Sequence, residues 1–165
     1  MAERESLVYL LAGLPGSGKT TYARALERRG VTRVSVDERV IARHGLLGKD
    51  YSESAHLSLL RPVLDEVQRL LVELIEQRQP VVLDHGLGTK AERDAYKRLV
   101  TDHGGRWRLV CFPVDRAELL RRLAIRNAEA ESGVITPETL DWIARQSEEP
   151  HDEGEELPDA TVLLS

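Results

Sequence analysis

The sequence predicts a single α/β domain over residues 1–165, built on one parallel, doubly wound sheet with helices on both faces. Three observations predict it. Short apolar runs alternate with amphipathic stretches along the whole chain. The strongest runs are apolar at every position, as in strands buried on both faces. The first of them ends in a glycine-rich turn that opens directly into a helix. With 41% hydrophobic and 31% charged residues, the balance is that of an ordinary globular core and shell.

Taken in order, SLVYLLA (residues 6–12) is a short run without a helical stripe and reads as a buried strand. KTTYARALERR, from Lys19 to Arg29, reads as a helix that Gly30 closes. TRVSV (32–36) is a second short strand, and from Asp37 to Glu53 the polar, mixed pattern assigns no element. The stretch SAHLSLLRPVLDEVQRLLVELIEQR places Leu57, Leu60, Leu64, Val67, Leu71 and Leu74 or Ile75 at helical spacing. Pro62 either kinks this helix or starts its main part. PVVLD (80–84) is a third strand, TKAERDAYKRLVTDHGG a helix closed by Gly104 and Gly105, and WRLVCFPV (107–114) a fourth strand. DRAELLRRLAIRNAEA is a helix with Asp115 as N-cap. TPETLDWIARQS is another, with Thr136 as N-cap and Pro137 at its first position. The acidic block SEEPHDEGEELPD (147–159) reads as a solvated surface loop, and the closing ATVLLS as the fifth strand.

Charge and composition narrow the function. A formal net charge of −5 argues against a protein whose main partner is a long polyanion, so nucleic acid is not an expected partner. One cysteine, Cys111, excludes an internal disulfide and points to a reducing, cytoplasmic compartment. In RWRLVCF it reads as a small core residue. The start, MAERESLVYLLAG, mixes acids with an arginine and is not expected to be a signal peptide. No apolar run approaches the roughly 20 residues of a membrane span.

The turn GLPGSGKTT carries the chemistry. Gly13, Gly18, Lys19 and Thr20 satisfy G-x-x-x-x-G-K-[ST] between a strand and a helix. Glycines let backbone N–H groups wrap a phosphate without a Cβ in the way, and the helix N-terminus adds partial positive charge. Gly13, Pro15, Gly16, Ser17, Gly18, Lys19, Thr20 and Thr21 are the candidate nucleotide-binding residues. Lys19 supplies a full charge for the β- and γ-phosphates, and the Thr20 hydroxyl is a hard oxygen suited to Mg²⁺. N-K-x-D, which reads guanine, is absent, as is an L-S-G-G-Q-like motif. What remains is the kinase class, compact and built around a second substrate pocket.

Phosphoryl transfer needs an acceptor oxygen in line, a base, and cations around the moving group. Ligands of open α/β sheets bind beyond the C-terminal ends of the strands. Asp37 stands just past the second strand as candidate base, against the alternative that it caps the next helix. Asp84 ends the third strand, where it suits the metal shell or the acceptor. A buried carboxylate there requires a cation or donor facing it. His85 beside it is the other candidate base. Arg122 and Arg126, four apart on one helical face, suit the triphosphate, and NAEAESG behind them reads as a lid. Glu118 is spaced to pair with Arg122 instead. Arg39 and Arg43 lie where an anionic acceptor would rest, nearly cancelled by Glu38, Asp50 and Glu53.

LLAGLPGSGKTTYARAL, VSVDER, VVLDHGLGTKAERDAYKRL, ELLRRLAIRNA, ITPETLDWIARQ and EEPHDEGEE together resemble the P-loop kinases of the AAA_33 type, over nearly the whole chain. Those in turn resemble polynucleotide kinases, chloramphenicol phosphotransferase and zeta toxins. The resemblance implies a P-loop NTPase fold with a five-stranded parallel sheet of order 2-3-1-4-5, ATP and Mg²⁺ as cofactors, and Asp37 as general base. It sets Arg122 and Arg126 at the lid positions that contact the ATP phosphates, and the acidic block where such kinases pack the adenine. The expected reaction is transfer of the γ-phosphate to a hydroxyl of a small molecule, a sugar, nucleoside or antibiotic. A 5′-hydroxyl polynucleotide kinase and a nucleotide-switched binding module are the alternatives.

Overall fold

A computed structural model describes residues 5–47, 49–129 and 134–164. The elements are β1 (Leu7–Ala12), α1 (Lys19–Arg28), β2 (Thr32–Ser35), α2 (Val36–His44), α3 (Glu53–Glu76) and β3 (Val81–Asp84). They continue with α4 (Lys90–Asp102), β4 (Arg106–Cys111), α5 (Arg116–Ala128), α6 (Pro137–Gln146), β5 (Glu155–Glu156) and a closing 3-10 turn, Ala160–Leu164. The strands form one parallel sheet in the order β2-β3-β1-β4-β5, the order the resemblance implies.

β1 is central because it is apolar throughout. Val8, Leu10 and Ala12 pack with Val63, Val67 and Leu71 of α3 and Val100 of α4. Leu11 packs on the opposite face with Tyr22, Ala23 and Leu26 of α1. Each fully buried aliphatic side chain contributes about 1.5–3 kcal/mol relative to exposure. From β1 the chain crosses outward to β2 through α1, then returns through β3 to β4 on the other side of β1. Right-handed crossovers in opposite directions put α1 on one face and α3 and α4 on the other. The reversal leaves a crevice at the C-terminal end of β1, where open sheets bind ligands.

Two local outcomes differ from the sequence reading. β2 stops at Ser35, whose Oγ accepts from Glu38 N at 3.1 Å and starts α2 at once. The buried stripe of α3 is Val63, Val67, Leu71 and Ile75, with Leu60 and Leu64 partly buried against it, while Leu57 is 73% exposed and stands off the core. The helix runs unbroken through Pro62.

The fifth strand is Glu155–Glu156, not ATVLLS. Gly154, at φ +78°, turns the chain so that Glu155 and Glu156 pair with Leu109 and Val110. Pro158 has no N–H for a ladder, which ends the strand early. Asp159 Oδ1 then accepts from Thr161 N at 2.9 Å and starts the 3-10 turn, whose Val162 is buried against the α1 face. Among the described residues no helix is long and apolar enough to cross a membrane.

Candidate active site

β1 brings the chain to the crevice, and Gly13–Gly18 leads straight into α1 at Lys19. Gly16 and Gly18 have φ of +83° and +103°, the left-handed region that favours glycine. A Cβ on Gly16 would stand 3.3 Å from Leu123 Cγ of α5, so the loop and α5 approach closely. Ser17 Oγ is buried with no hydrogen-bond partner among the described residues. Thr21 is exposed on the first turn of α1.

Lys19 reaches back over the loop. Its Nζ donates to Gly13 O at 2.6 Å and Leu14 O at 3.0 Å. Enclosure pushes its pKa down to about 8, against the Asp37 and Asp84 charges, which raise it, and with the Arg126 charge, which lowers it further. Nucleotide binding is therefore expected to be pH-linked. A bound polyphosphate favours the charged ammonium. Below pH 8 the free protein already carries that proton; above it, binding takes a proton up. Affinity for MgADP is expected to be level near pH 7 and to fall by up to about tenfold per pH unit above the free protein's pKa. Calorimetry near pH 9 in two buffers of different ionisation heat measures the proton count. Binding without proton uptake there would contradict the depressed ammonium.

Asp84 is 6% exposed at the end of β3. Its two oxygens are divided: Thr20 Oγ1 donates to Oδ1 at 3.2 Å, and Arg33 Nη1 donates to Oδ2 at 3.1 Å. Burial raises its pKa, and Thr20, Arg33 and Lys19 pull it back. Arg33 is the cation that a buried strand-end carboxylate requires, and the sequence reading did not name it. Among the described residues no cluster of three His, Cys, Asp or Glu stands ready for a metal. Mg²⁺ needs less, one or two carboxylates beside phosphate oxygens. The adjacent Thr20 and Asp84 oxygens fit that requirement.

Asp37 lies exposed in the first turn of α2, and Ser35, not Asp37, caps that helix. The capping alternative is thus removed. Its charge acts on Lys19, Asp84, His85 and Tyr51, which gathers these groups at one end of the sheet. Burial lowers the His85 pKa, so its ring is held toward the neutral form. Tyr51 stacks on His56, with Oη 3.1 Å from Nδ1. Gly86 follows closely: a Cβ there would stand 3.2 Å from Gly13 O and 3.5 Å from Lys19 Nζ. The turn after β3 therefore closes against the phosphate loop.

α5 supplies the arginines. Arg122 Nη1 donates to Gly16 O at 3.1 Å and its Nε to Glu118 Oε1 at 2.9 Å, so it makes both the loop contact and the helical pair. Arg126 is near enough to Lys19 to depress it. The lid segment falls partly on residues 130–133, outside the described residues.

Arg39 and Arg43 go elsewhere. Both donate to Glu66 of α3, Arg39 Nη1 to Oε1 at 2.8 Å and Arg43 Nη2 to Oε2. The cancelling acid is Glu66 rather than the nearer ones. Glu38 pairs with Arg33 at 2.5 Å, and Asp50 accepts from Leu46 N at 2.7 Å. A carboxylate 23 and 27 residues downstream gives no local signal.

The acidic block is less solvated than expected. Glu153 is 8% exposed and grips Arg93 of α4 through two bonds, 2.8 and 2.9 Å. Arg93 Nη1 also donates to Leu87 O at 3.0 Å. Glu149 and Glu155 border a cavity of about 410 Å³ whose lining includes Gly13, Leu14 and Phe112. Asp37 and Asp84 are not among its lining residues, so this cavity and the carboxylate end are separate parts of the surface.

Fold and loop together define a P-loop nucleoside-triphosphate-binding domain. More narrowly, the chain belongs to the AAA_33 family, described as an AAA domain, which matches residues 8–150. No curated protein matches it. Among solved structures, one from the Pnkp1/Rnl/Hen1 RNA repair complex is 21% identical, TM-score 0.73, over 88% of this chain and 45% of that one. The Mycobacterium tuberculosis APS kinase CysC, in complex with AMPPNP and APS, is 17% identical, TM-score 0.62, over 98% and 94%. A gluconokinase from Sinorhizobium meliloti 1021 is 16% identical, TM-score 0.60, over 98% and 88%. The chain spans less than half the length of the RNA repair chains it matches. At these identities the likeness is one of fold.

Proposed function

We propose that this protein is an ATP- and Mg²⁺-dependent phosphotransferase that moves the γ-phosphate of ATP to a hydroxyl of a small molecule, a sugar, nucleoside or antibiotic. The observation that carries the reading is the convergence of Lys19, Thr20, Asp84 and Asp37 at one end of the sheet. A nucleotide-storing loop would need the first two; a further carboxylate whose charge reaches the phosphate lysine suits an acceptor.

The loop amides and Lys19 would hold the β- and γ-phosphates, and the partnerless Ser17 hydroxyl would gain an acceptor. Thr20 and Asp84 would hold Mg²⁺, which when bound neutralises charge on the phosphate oxygens. Asp37 would take the acceptor proton as its oxygen bonds to the γ-phosphorus. The bond from that phosphorus to the β,γ-bridging oxygen breaks, and ADP leaves with the electron pair. Arg122 and Arg126 would face the charge spread over the transferring group. Positioning of the acceptor and the cations around the transferring group would supply most of the acceleration.

The likeness to an RNA repair chain favours a second reading, a 5′-hydroxyl polynucleotide kinase. Against it stands the net charge of −5. A transfer assay separates them. γ-Labelled ATP and Mg²⁺ are incubated with a panel of hydroxyl metabolites and a 5′-hydroxyl oligonucleotide, with Lys19→Ala as control. Label is expected on a metabolite and lost in the control. Label on the oligonucleotide alone would establish the second reading. ATP binding without transfer to any acceptor would favour a nucleotide-switched module.

A further inference from the structure

We propose that Arg33 is a positioning residue that engages one oxygen of Asp84, leaves the other beside the Thr20 hydroxyl, and so biases the metal site toward Mg²⁺ over Ca²⁺. The inference rests on the reading above in one respect, that Thr20 and Asp84 hold the metal of the bound nucleotide.

The geometry begins with strand register. β2 and β3 pair in parallel, with Ser35 beside Asp84 and Arg33 beside Val82. Arg33 and Ser35 share a face of β2 because side chains alternate along a strand. From there the guanidinium reaches forward to Asp84 Oδ2 at 3.1 Å. It is held from behind as well. Glu38 Oε1 of α2 lies 2.5 Å from Nη2, and Glu27 Oε1 of α1 lies 3.8 Å from Nε. The Arg33 side chain is only 7% exposed. Hydrogen bonds to Asp84 and Glu38 thus fix one planar, permanently charged fork, and Glu27 adds charge beside an Nε that has no hydrogen-bond partner among the described residues.

The consequence is a carboxylate used one oxygen at a time. Oδ2 is engaged by Arg33, and Oδ1 faces the Thr20 hydroxyl. Mg²⁺ takes near-ideal octahedral geometry with single carboxylate oxygens, whereas Ca²⁺ takes six to eight ligands and often both oxygens of one carboxylate. With one lone pair of Oδ2 taken and its plane held by Arg33, the two-oxygen mode is disfavoured. Without Arg33 the carboxylate turns about its terminal torsion, which is broad and soft. A lysine at this place keeps the charge but has no planar fork to hold Asp84 and Glu38 together.

The test compares ADP binding by calorimetry without metal, with Mg²⁺ and with Ca²⁺. The parent protein is expected to bind ADP more tightly with Mg²⁺ than with Ca²⁺ or no metal. In Arg33→Met the Mg²⁺-dependent gain is expected to fall about tenfold and the preference over Ca²⁺ to narrow, as when an outer partner of a metal ligand is removed. Metal-free ADP affinity is expected to stay level, since the loop and Lys19 remain. Arg33→Lys is expected to restore part of the gain. An unchanged Mg²⁺ gain and Ca²⁺ preference in Arg33→Met overturns the proposal. If that variant does not fold, the same unchanged pattern in Arg33→Lys does so. A parent protein that shows no Mg²⁺ gain overturns the metal site beneath it instead.

Discussion

Asp37→Asn is expected to bind MgATP as the parent protein does and to transfer phosphate about 10²–10⁴ times more slowly, the usual contribution of a positioned proton acceptor. The replacement keeps size and removes only the charge. Ser35 caps α2, so the helix keeps its cap. The lost favourable charge in its first turn costs about 0.3–1 kcal/mol, too little to unfold the domain. Single-turnover transfer with the acceptor found by the assay reads the chemical step, and calorimetry reads binding. A fall in both kcat and kcat/KM with ATP affinity intact marks a group that acts in the transition state. A variant that turns over at the parent rate moves the proton to another acceptor. His85 is then the remaining candidate, since burial holds its ring toward the neutral, proton-accepting form.

How much of this was legible in the sequence follows from how far apart the cooperating residues lie. The phosphate loop was legible because its job is local: a backbone cradle, a lysine and a hydroxyl must follow one strand and open one helix. The sheet order was reached through the resemblance, and alternation alone yielded only a parallel sheet. Asp84 was legible as a strand-end carboxylate in need of a partner, but the partner was not. Arg33 becomes its neighbour only once β2 and β3 are known to pair with Ser35 beside Asp84. On its own, TRVSV is a strand with a stray arginine.

The last strand failed for a related reason. ATVLLS has the composition of a strand, while Glu155 and Glu156 do not. Pairing with β4, a turn at Gly154 and the Arg108–Glu156 ion pair at 2.6 Å outweigh that preference. Arg39 and Arg43 were placed by position along the chain, which put them near the acceptor. Instead, the packing of α2 on α3 gives both to Glu66. Both therefore clamp α2 to α3.

The same long-range logic gives the largest expected effect on stability. Arg93→Met and Glu153→Gln are each expected to lower the unfolding free energy by about 3–5 kcal/mol, because each strands a buried charge without its partner. The pair is side-on and bidentate, and the two side chains are 1% and 3% exposed. Arg93 holds the Glu153 carboxyl below the usual carboxylate range. The contribution is therefore full above the ordinary carboxylate pKa and is lost as pH falls through the lowered one. Urea unfolding at neutral and acidic pH checks both statements. The double variant Arg93→Met/Glu153→Leu is expected to recover part of the loss: no charge is left unpaired, but Leu87 O and His151 N each lose a partner. Single variants that lose less than about 1 kcal/mol would mean the pair behaves like a surface bridge. The two single variants should differ in function. Arg93 alone holds Leu87 O, one residue beyond the Gly86 that closes against Lys19. Arg93→Met is thus expected to weaken MgADP binding more than Glu153→Gln at equal stability, because it frees the turn that shapes the phosphate lysine's surroundings.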